Sequence, residues 1–119
     1  KKILIIGGSG KLGLRFAKTL ENAGGKIILA DIKKPKNNKF TFYHCDVSNQ
    51  NNVTDITSKL IKKEKKIDVL IYNVYSKPKN YYKSYEDYEY ETWNKCVNSN
   101  LTGAFLVSRI LIKHFKKKK

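Results

Sequence analysis

Residues 7–13 combine glycines with a serine and a lysine at a spacing suited to holding phosphate groups. They read GGSGKLG, which fits both G-x-x-G-x-x-G and G-x-G-x-x-G. Glycines at this spacing permit a tight turn, let a pyrophosphate approach the backbone and let the next helix pack close to the strand. The N-terminus of that helix then faces the anion. The residues predicted to hold the pyrophosphate are Gly7, Ser9, Gly10, Lys11, Leu12 and Gly13.

The Gly10-Lys11 step also resembles the Gly-Lys step of a P-loop. Two positions argue against a P-loop, because Leu12 stands where magnesium needs a Ser or Thr hydroxyl, and Ile5 stands where the first glycine belongs. The motif therefore favours a dinucleotide over a nucleoside triphosphate.

A carboxylate follows the glycines at the distance that a dinucleotide fold requires. Asp31 lies 21 residues after Gly10, where a carboxylate accepts the hydroxyls of the adenosine ribose. With Ile32 beside it, this position predicts NAD in preference to NADP, because a 2′-phosphate would meet like charge. Two alternatives stay open: Asp31 as a simple turn residue, and Lys33 and Lys34 as groups that neutralise a 2′-phosphate.

Strand-like and helix-like patterns alternate four times along the chain. Short apolar runs at 3–6, 27–30, 40–45 and 67–72 predict strands. The fourth of them is expected to form a flat apolar edge of the sheet. Apolar positions at helical spacing predict three helices between them or after them, and the last should run from about 86 to 115. The order implies a Rossmann-type α/β fold, a doubly wound parallel sheet that is truncated after about four strands and a long final helix. We expect residues 1–119 to form one dinucleotide-binding domain.

Apolar spacing also indicates which side of each helix faces the core. In the first helix Leu12, Phe16, Leu20 and Ala23 repeat at intervals of three or four, and in the last one Trp93 and Phe105 belong to a single apolar side. These sides are predicted to pack against the sheet.

Composition narrows the classes of partner. The formal charge is +15 from 25 Lys+Arg and 10 Asp+Glu, but only Arg15 and Arg109 are arginines, and the lysines are spread over the whole chain. Arginine is the residue that most often reads bases, so we expect weak attraction to polyanions and no specific nucleic-acid partner. A basic protein that binds polyanions remains an alternative hypothesis for the function.

Hydropathy and cysteine usage indicate the compartment. No apolar run reaches the roughly 18 residues of a membrane span, and the run before Gly7 is too short for a signal peptide. Cys45 and Cys96 lie in no metal-ligand pattern and read as reduced thiols. We expect a cytoplasmic protein without a membrane partner and without a metal.

The glycine turn and Asp31 resemble the short-chain dehydrogenase/reductase family, and the likeness extends along the whole chain as a match to the N-terminal half of that family. Cys45-Asp46-Val47 resembles the family's Asp-Val pair, which implies Asp46 on the adenine amino group and the Val47 backbone on the ring. Asp46 alone would read as a helix-capping acid.

Two further segments carry the resemblance. Residues 72–75, Tyr-Asn-Val-Tyr, stand where the family has Asn-Asn-Ala-Gly, which implies Asn73 and Val74 at the cofactor. Residues 100–103, Asn-Leu-Thr-Gly, match the helix step in which an asparagine holds the proton-relay water. Asn100 is thus the one catalytic-type residue that the resemblance carries over.

The sequence departs from the family pattern in three places. Lys11 stands where glycine or serine is usual, and Tyr72 and Tyr75 replace the first Asn and the Gly of Asn-Asn-Ala-Gly. The segment that follows Tyr75 is similar to reductases of flagellin and surface-sugar (nonulosonic acid) biosynthesis.

The family's Ser and Tyr-x-x-x-Lys groups are not found in these residues. Tyr75 and Lys79 have that spacing, but Pro78 between them prevents the helix that would align them. The resemblance implies that residues 1–119 are the NAD(P)-binding domain and the N-terminal portion of a longer enzyme. It also implies an NAD(P)-dependent oxidoreductase that moves hydride to or from a carbonyl or alcohol carbon of a small, sugar-like substrate, and we expect this segment to be inactive alone. A non-catalytic dinucleotide-binding module is the alternative. The long helix resembles the family's dimer helix, so we expect a homo-oligomer of the full-length enzyme.

Overall fold

A computed structural model describes residues 1–117 as a four-stranded parallel sheet with helices on both faces. The strands are β1 (Lys2–Ile6), β2 (Lys26–Asp31), β3 (Thr41–His44) and β4 (Val69–Tyr72). The helices are α1 (Lys11–Asn22), α2 (Gln50–Glu64), α3 (Tyr90–Val97) and α4 (Gly103–Lys117), and a π turn (Asn98–Thr102) joins α3 to α4. The predicted Rossmann-type α/β fold is confirmed.

The strand order is β3-β2-β1-β4, so β1 lies inside the sheet and β4 forms one edge. Leu4 of β1 is in register with Ile28 of β2 and with Leu70 of β4. Four of the five β1 residues are buried, as a strand covered on both faces requires. All carboxyl ends point to the same edge of the sheet, where the loops after the strands meet.

Two apolar layers sandwich the sheet. On one face, Ile3 and Ile5 of β1 pack with Ala17 of α1. On the other face, Leu4 and Ile6 pack with residues from α2 and α4. Alternate β1 side chains thus face opposite layers, and α1 is held apart from α2 and α4 by the sheet.

The apolar side predicted for α1 is only partly correct. Leu20 packs against the core around Ile3 and Ile5, whereas Leu12 is 55% exposed and Phe16 is 36% exposed. Gly13 and Ala17 are buried instead. A Cβ on Gly13 would lie 2.6 Å from the Gly7 oxygen, so a larger side chain would not fit where the first turn of α1 meets the glycine turn.

The last helical region also differs from its prediction. It begins at Tyr90 and contains the π turn, so it is not one uninterrupted helix from residue 86. Leu106, Val107 and Leu111 are buried against the sheet, while Trp93 and Phe105 are more than half exposed. The region therefore has two apolar sides, and only one packs on the sheet.

The reading of 1–119 as one domain of a longer enzyme stays a prediction, and its last residues, Lys118 and Lys119, lie outside the described part. Within residues 1–117, the helices are all too short or too polar to span a bilayer. The same residues contain no cluster of three or more His, Cys, Asp or Glu side chains arranged to hold a metal ion.

Candidate functional site

The glycine turn brings β1 and α1 together through backbone contacts. The Gly7 N–H donates to the Ala30 carbonyl at 2.8 Å, and Gly7 has a φ of +75°. A Cβ on Gly7 would lie 2.6 Å from the Asn73 carbonyl oxygen, and a Cβ on Gly13 would lie 2.6 Å from the Gly7 oxygen. Both positions therefore require glycine, one for its dihedral angle and both for space.

The N-terminus of α1 is open to an anion. Gly10 is the N-cap residue, and among residues 1–117 no side chain caps the helix. A Cβ on Gly10 would have no atom within 4 Å, so space lies in front of this turn. Amides in the first turn of a helix lack intrahelical acceptors, which leaves those of Lys11 and Leu12 available to a phosphate.

Ser9 adds a hydroxyl to the same turn. Its Oγ is buried and has no hydrogen-bond partner within the described part of the chain. A buried hydroxyl without a partner carries a free-energy cost that a bound polar group would remove. Ser9 does not line the cavity that the open amides face, so those amides are the groups of this turn that fit a diphosphate.

Asp31 closes the turn from the end of β2. Its Oδ2 accepts the Ser9 N–H at 2.9 Å, and its Oδ1 accepts the Ile32 N–H at 2.7 Å. The carboxylate is therefore fixed in direction by two backbone donors. Each carboxylate oxygen can accept a further bond, so the group remains able to accept ribose hydroxyls.

Asp46 and Val47 form the wall that follows β3. The Asp46 Oδ1 accepts the Ser48 N–H at 2.9 Å and the Ser48 Oγ–H at 2.6 Å, and Val47 is buried. The N-cap of α2 is Asn49, whose side chain accepts the Asn52 N–H at 3.0 Å. Asp46 is thus not the capping residue of this helix.

Asn73 and Val74 form the opposite wall after β4. The Asn73 N–H donates to the Ile6 carbonyl at 2.8 Å, and its Nδ2 donates to the Gly7 carbonyl at 3.1 Å. The asparagine therefore ties the end of β4 to the glycine turn.

These walls enclose a cavity of about 610 Å³ at the carboxyl edge of the sheet. That edge is where ligands of open α/β sheets bind, and the volume lies in the range of small-molecule sites. Ten of the residues singled out by sequence line it: Gly7, Gly10, Lys11, Leu12, Asp31, Ile32, Asp46, Val47, Asn73 and Val74. The structure brings them together, and their role toward a cofactor stays a prediction.

Three predicted residues lie beside the cavity. Gly13 packs under the turn, and Ser9 holds Asp31 through its amide. Asn100 lies in the π turn, where its Oδ1 accepts the Ser76 N–H at 2.9 Å. Asn100 also lines a second cavity of about 840 Å³ with Trp93 and several tyrosines.

Sequence reasoning missed several lining residues. Ser48, Ser76 and Ser99 line the first cavity, and so does Tyr75, whose hydroxyl lies 2.7 Å from that of Tyr81. Ser48 and Ser76 could have been found, since each follows a predicted strand closely. Ser99 reaches the cavity through the π turn, for which the sequence carries no signal.

Cys45 lies at the floor of this cavity between two carboxylates. Burial, with the negative charges of Asp46 and Asp31, raises the pKa of its thiol to about 11. The group is therefore a neutral thiol at neutral pH.

The chain is similar to known proteins along its whole length. The family model for short chain dehydrogenase matches residues 1–119. Sorbose reductase of Schizosaccharomyces pombe is 29% identical over 131 residues, covering 98% of this chain and 50% of that protein. The chain spans about half the length of the curated relatives it matches.

Two solved structures share the fold closely. A short chain dehydrogenase from Leptospira borgpetersenii with bound NAD⁺ superposes with a TM-score of 0.88 at 27% identity, over 99% of this chain and 47% of that one. The ligand-free aldohexose dehydrogenase of Thermoplasma acidophilum gives 0.87 at 25% identity, over 97% and 44%. These relatives do not confirm the resemblance to reductases of nonulosonic acid biosynthesis. The family match and the shared fold agree on one conclusion: the chain belongs to the short-chain dehydrogenase/reductase family.

Proposed function

We propose that this chain forms the NAD-binding half of an oxidoreductase that transfers hydride to or from a carbonyl or alcohol carbon. One observation carries the proposal: the Asp31 carboxylate and the open amides of α1 face the same cavity. A bound NAD would supply the hydride acceptor or donor.

Each part of the cavity has a proposed task toward the cofactor. The amides after Gly10 bind the diphosphate, and Asp31 accepts the hydroxyls of the adenosine ribose. Asp46 and the Val47 backbone hold the adenine, while Asn73 and Val74 line the path toward the nicotinamide. Asn100 holds a water that relays the proton.

The charge at the ribose position supports NAD in preference to NADP. A 2′-phosphate would lie against the Asp31 carboxylate, and the repulsion between these two negative charges would weaken NADP binding. The exposed Lys33 and Lys34 are the groups that could offset this repulsion.

A sugar-like carbonyl compound is the proposed substrate class. Support comes from two relatives whose names refer to sugars, a sorbose reductase and an aldohexose dehydrogenase. The family's Ser and Tyr-x-x-x-Lys groups are not among the described residues, and Tyr75 and Lys79 lie in a segment without helix. We therefore expect the 119-residue chain alone to bind NAD without turning it over, in the cytoplasm where its two free thiols stay reduced.

Titration of NAD⁺ and NADP⁺ by calorimetry tests the cofactor assignment. We expect Asp31→Ala to weaken NAD⁺ binding about tenfold or more, because the ribose loses its charged acceptor, and to leave NADP⁺ binding equal or stronger. Asp55→Ala is the matched control, since it removes the same charge from an exposed position on α2. An NAD⁺ preference that survives Asp31→Ala would show the assignment to be wrong.

A further inference from the structure

Three consecutive residues of the π turn are tied to the loops around the cofactor cavity. The Asn98 Nδ2 donates to the Ser48 carbonyl at 2.8 Å. The Ser99 carbonyl accepts the Tyr72 hydroxyl, and the Asn100 Oδ1 accepts the Ser76 N–H. The turn therefore contacts both walls of the cavity, one after β3 and one after β4.

The π geometry explains why the Ser99 carbonyl is free to accept a side chain. The Gly103 N–H donates to the Asn98 carbonyl, five residues earlier. In a regular α-helix the same N–H would donate to Ser99, four residues earlier. The Gly103 N–H is thus directed to Asn98 and not to Ser99, and the Ser99 carbonyl accepts the Tyr72 hydroxyl.

The surroundings of Tyr72 are shaped to admit this contact. A Cβ on Gly103 would collide with the Tyr72 hydroxyl and lie 3.1 Å from the Val47 carbonyl oxygen. Glycine at this position therefore opens the space that the hydroxyl occupies. Burial also raises the pKa of Tyr72, so the hydroxyl stays protonated and remains a donor.

We propose that Tyr72 is a positioning residue for Asn100. The Tyr72 hydroxyl holds the π turn in place, and the turn places the Asn100 Oδ1 where it accepts the Ser76 N–H. An α-helical turn would return the Ser99 carbonyl to Gly103 and rotate the residues that follow it. Asn100 would then leave the Ser76 amide. The catalytic meaning of this placement rests on the proposed function, whereas the placement itself does not.

The test compares Tyr72→Phe with Tyr43→Phe in the full-length protein. Tyr43 is a matched control, because its hydroxyl also makes one internal hydrogen bond, to the Glu64 Oε1 at 2.8 Å, away from the π turn. The readouts are the NMR shift and the hydrogen-exchange rate of the Ser76 amide, measured without cofactor. We expect Tyr72→Phe to shift this amide proton upfield and speed its exchange about tenfold, as loss of one hydrogen bond predicts, and Tyr43→Phe to leave both unchanged.

A second pair of variants separates positioning from general loosening. Asn100→Ala removes the acceptor of the Ser76 amide, so adding Tyr72→Phe to it should change this amide no further. A Ser76 amide that is insensitive to Tyr72→Phe, or one that speeds up equally in both tyrosine variants, would overturn the proposal. Failure of NAD⁺ binding in the calorimetric titration would instead count against the proposed function alone.

Discussion

Gly7 and Gly10 belong to the same turn but require glycine for different reasons. Gly7 has a left-handed backbone conformation and no room for a Cβ, whereas Gly10 has open space in front of it. Gly7 therefore serves the fold, and Gly10 is proposed to leave space for the ligand.

Alanine at the two positions should separate these roles. We expect Gly7→Ala to cost about 2 kcal/mol or more of unfolding free energy, since it combines strain with a backbone collision. Gly10→Ala should cost less than about 1 kcal/mol but weaken NAD⁺ binding about tenfold, because its methyl group enters the space of the diphosphate. Urea denaturation and calorimetry measure the two effects. Equal loss of stability in both variants would contradict this division.

The raised pKa of the Cys45 thiol should be visible in the rate at which the thiol is alkylated. With a pKa of about 11, it carries more than about a hundredfold less thiolate at pH 7.5 than an ordinary cysteine. Iodoacetamide should therefore label Cys45 very slowly at pH 7.5 and much faster toward pH 10, as mass spectrometry of the labelled peptide can follow. The urea-unfolded protein is the control and should react at the ordinary rate. Fast labelling of the folded protein at pH 7.5 would contradict the burial of this thiol between Asp31 and Asp46.

At the scale of elements, sequence patterns were informative where one local rule decides the structure. The β1 run ends at Gly7 and lies buried between two strands, as its uninterrupted apolar residues indicate. The side of α1 was partly misread, because close packing on the glycine turn leaves no space for a side chain at Gly13 and moves Leu12 and Phe16 toward solvent. Local spacing cannot reveal that packing.

The candidate site likewise combines features that local sequence patterns predict with features that depend on tertiary contacts. Glycine spacing and the position of Asp31 are local features, and they were enough to predict residues that do line one cavity. The π turn accepts a hydrogen bond from Tyr72 at Ser99, 27 positions further along the chain, and no pattern within the helix indicates this contact. The two amides that fix Asp31 likewise depend on how the turn and β2 meet.

The end of α2 is joined to β1 and β3 by a charged network that should respond to acid. Burial raises the pKa of Glu64, but hydrogen bonds from Lys2 and Tyr43 and the nearby lysine charges outweigh it, so the pKa lies below its usual range. The Lys2 Nζ lies 2.9 Å from the Glu64 Oε2. A carboxylate with a lowered pKa stabilises the fold above its unfolded pKa, and that contribution is lost as the pH falls through the folded value.

We therefore expect the stability of the protein to fall as the pH drops below about 4.3, the ordinary pKa of a glutamate. Glu64→Gln should flatten this part of the curve, because the variant has no proton to take up at that position. Glu91→Gln, which removes an exposed carboxylate from α3, is the control and should follow the native curve. Thermal melts between pH 3 and 6 measure the effect, and parallel curves for Glu64→Gln and the native protein would contradict it.

At the scale of the whole molecule, the π turn and α4 carry an exposed apolar surface within residues 1–117. Leu101 is 67% exposed and Phe105 is 58% exposed, one helical turn apart on the side of the π turn and α4 that faces away from the sheet. Exposed apolar surfaces of this kind mark interfaces between proteins. We propose that two copies of the full-length protein associate through it.

Carboxylates introduced on this surface should prevent the two copies from associating. We expect the double variant Leu101→Glu and Phe105→Glu to be monomeric, since association would bury two unpaired carboxylates. Phe16→Glu on α1 is the control, because it adds a carboxylate on the opposite face of the sheet and should leave the assembly intact. Size exclusion with light scattering measures the mass. A native full-length protein that elutes as a monomer would remove the proposal.

Among residues 1–117, β4 pairs with β1 and with no other strand. Its outer N–H and C=O groups are spaced to receive one more extended segment. A segment running parallel to β4 would finish beside Asn73 and Ser76, since parallel strands end at a common edge. Residues just beyond that segment would lie at the carboxyl edge of the sheet, the edge that also holds the cavity, while the order of the four strands stays the same.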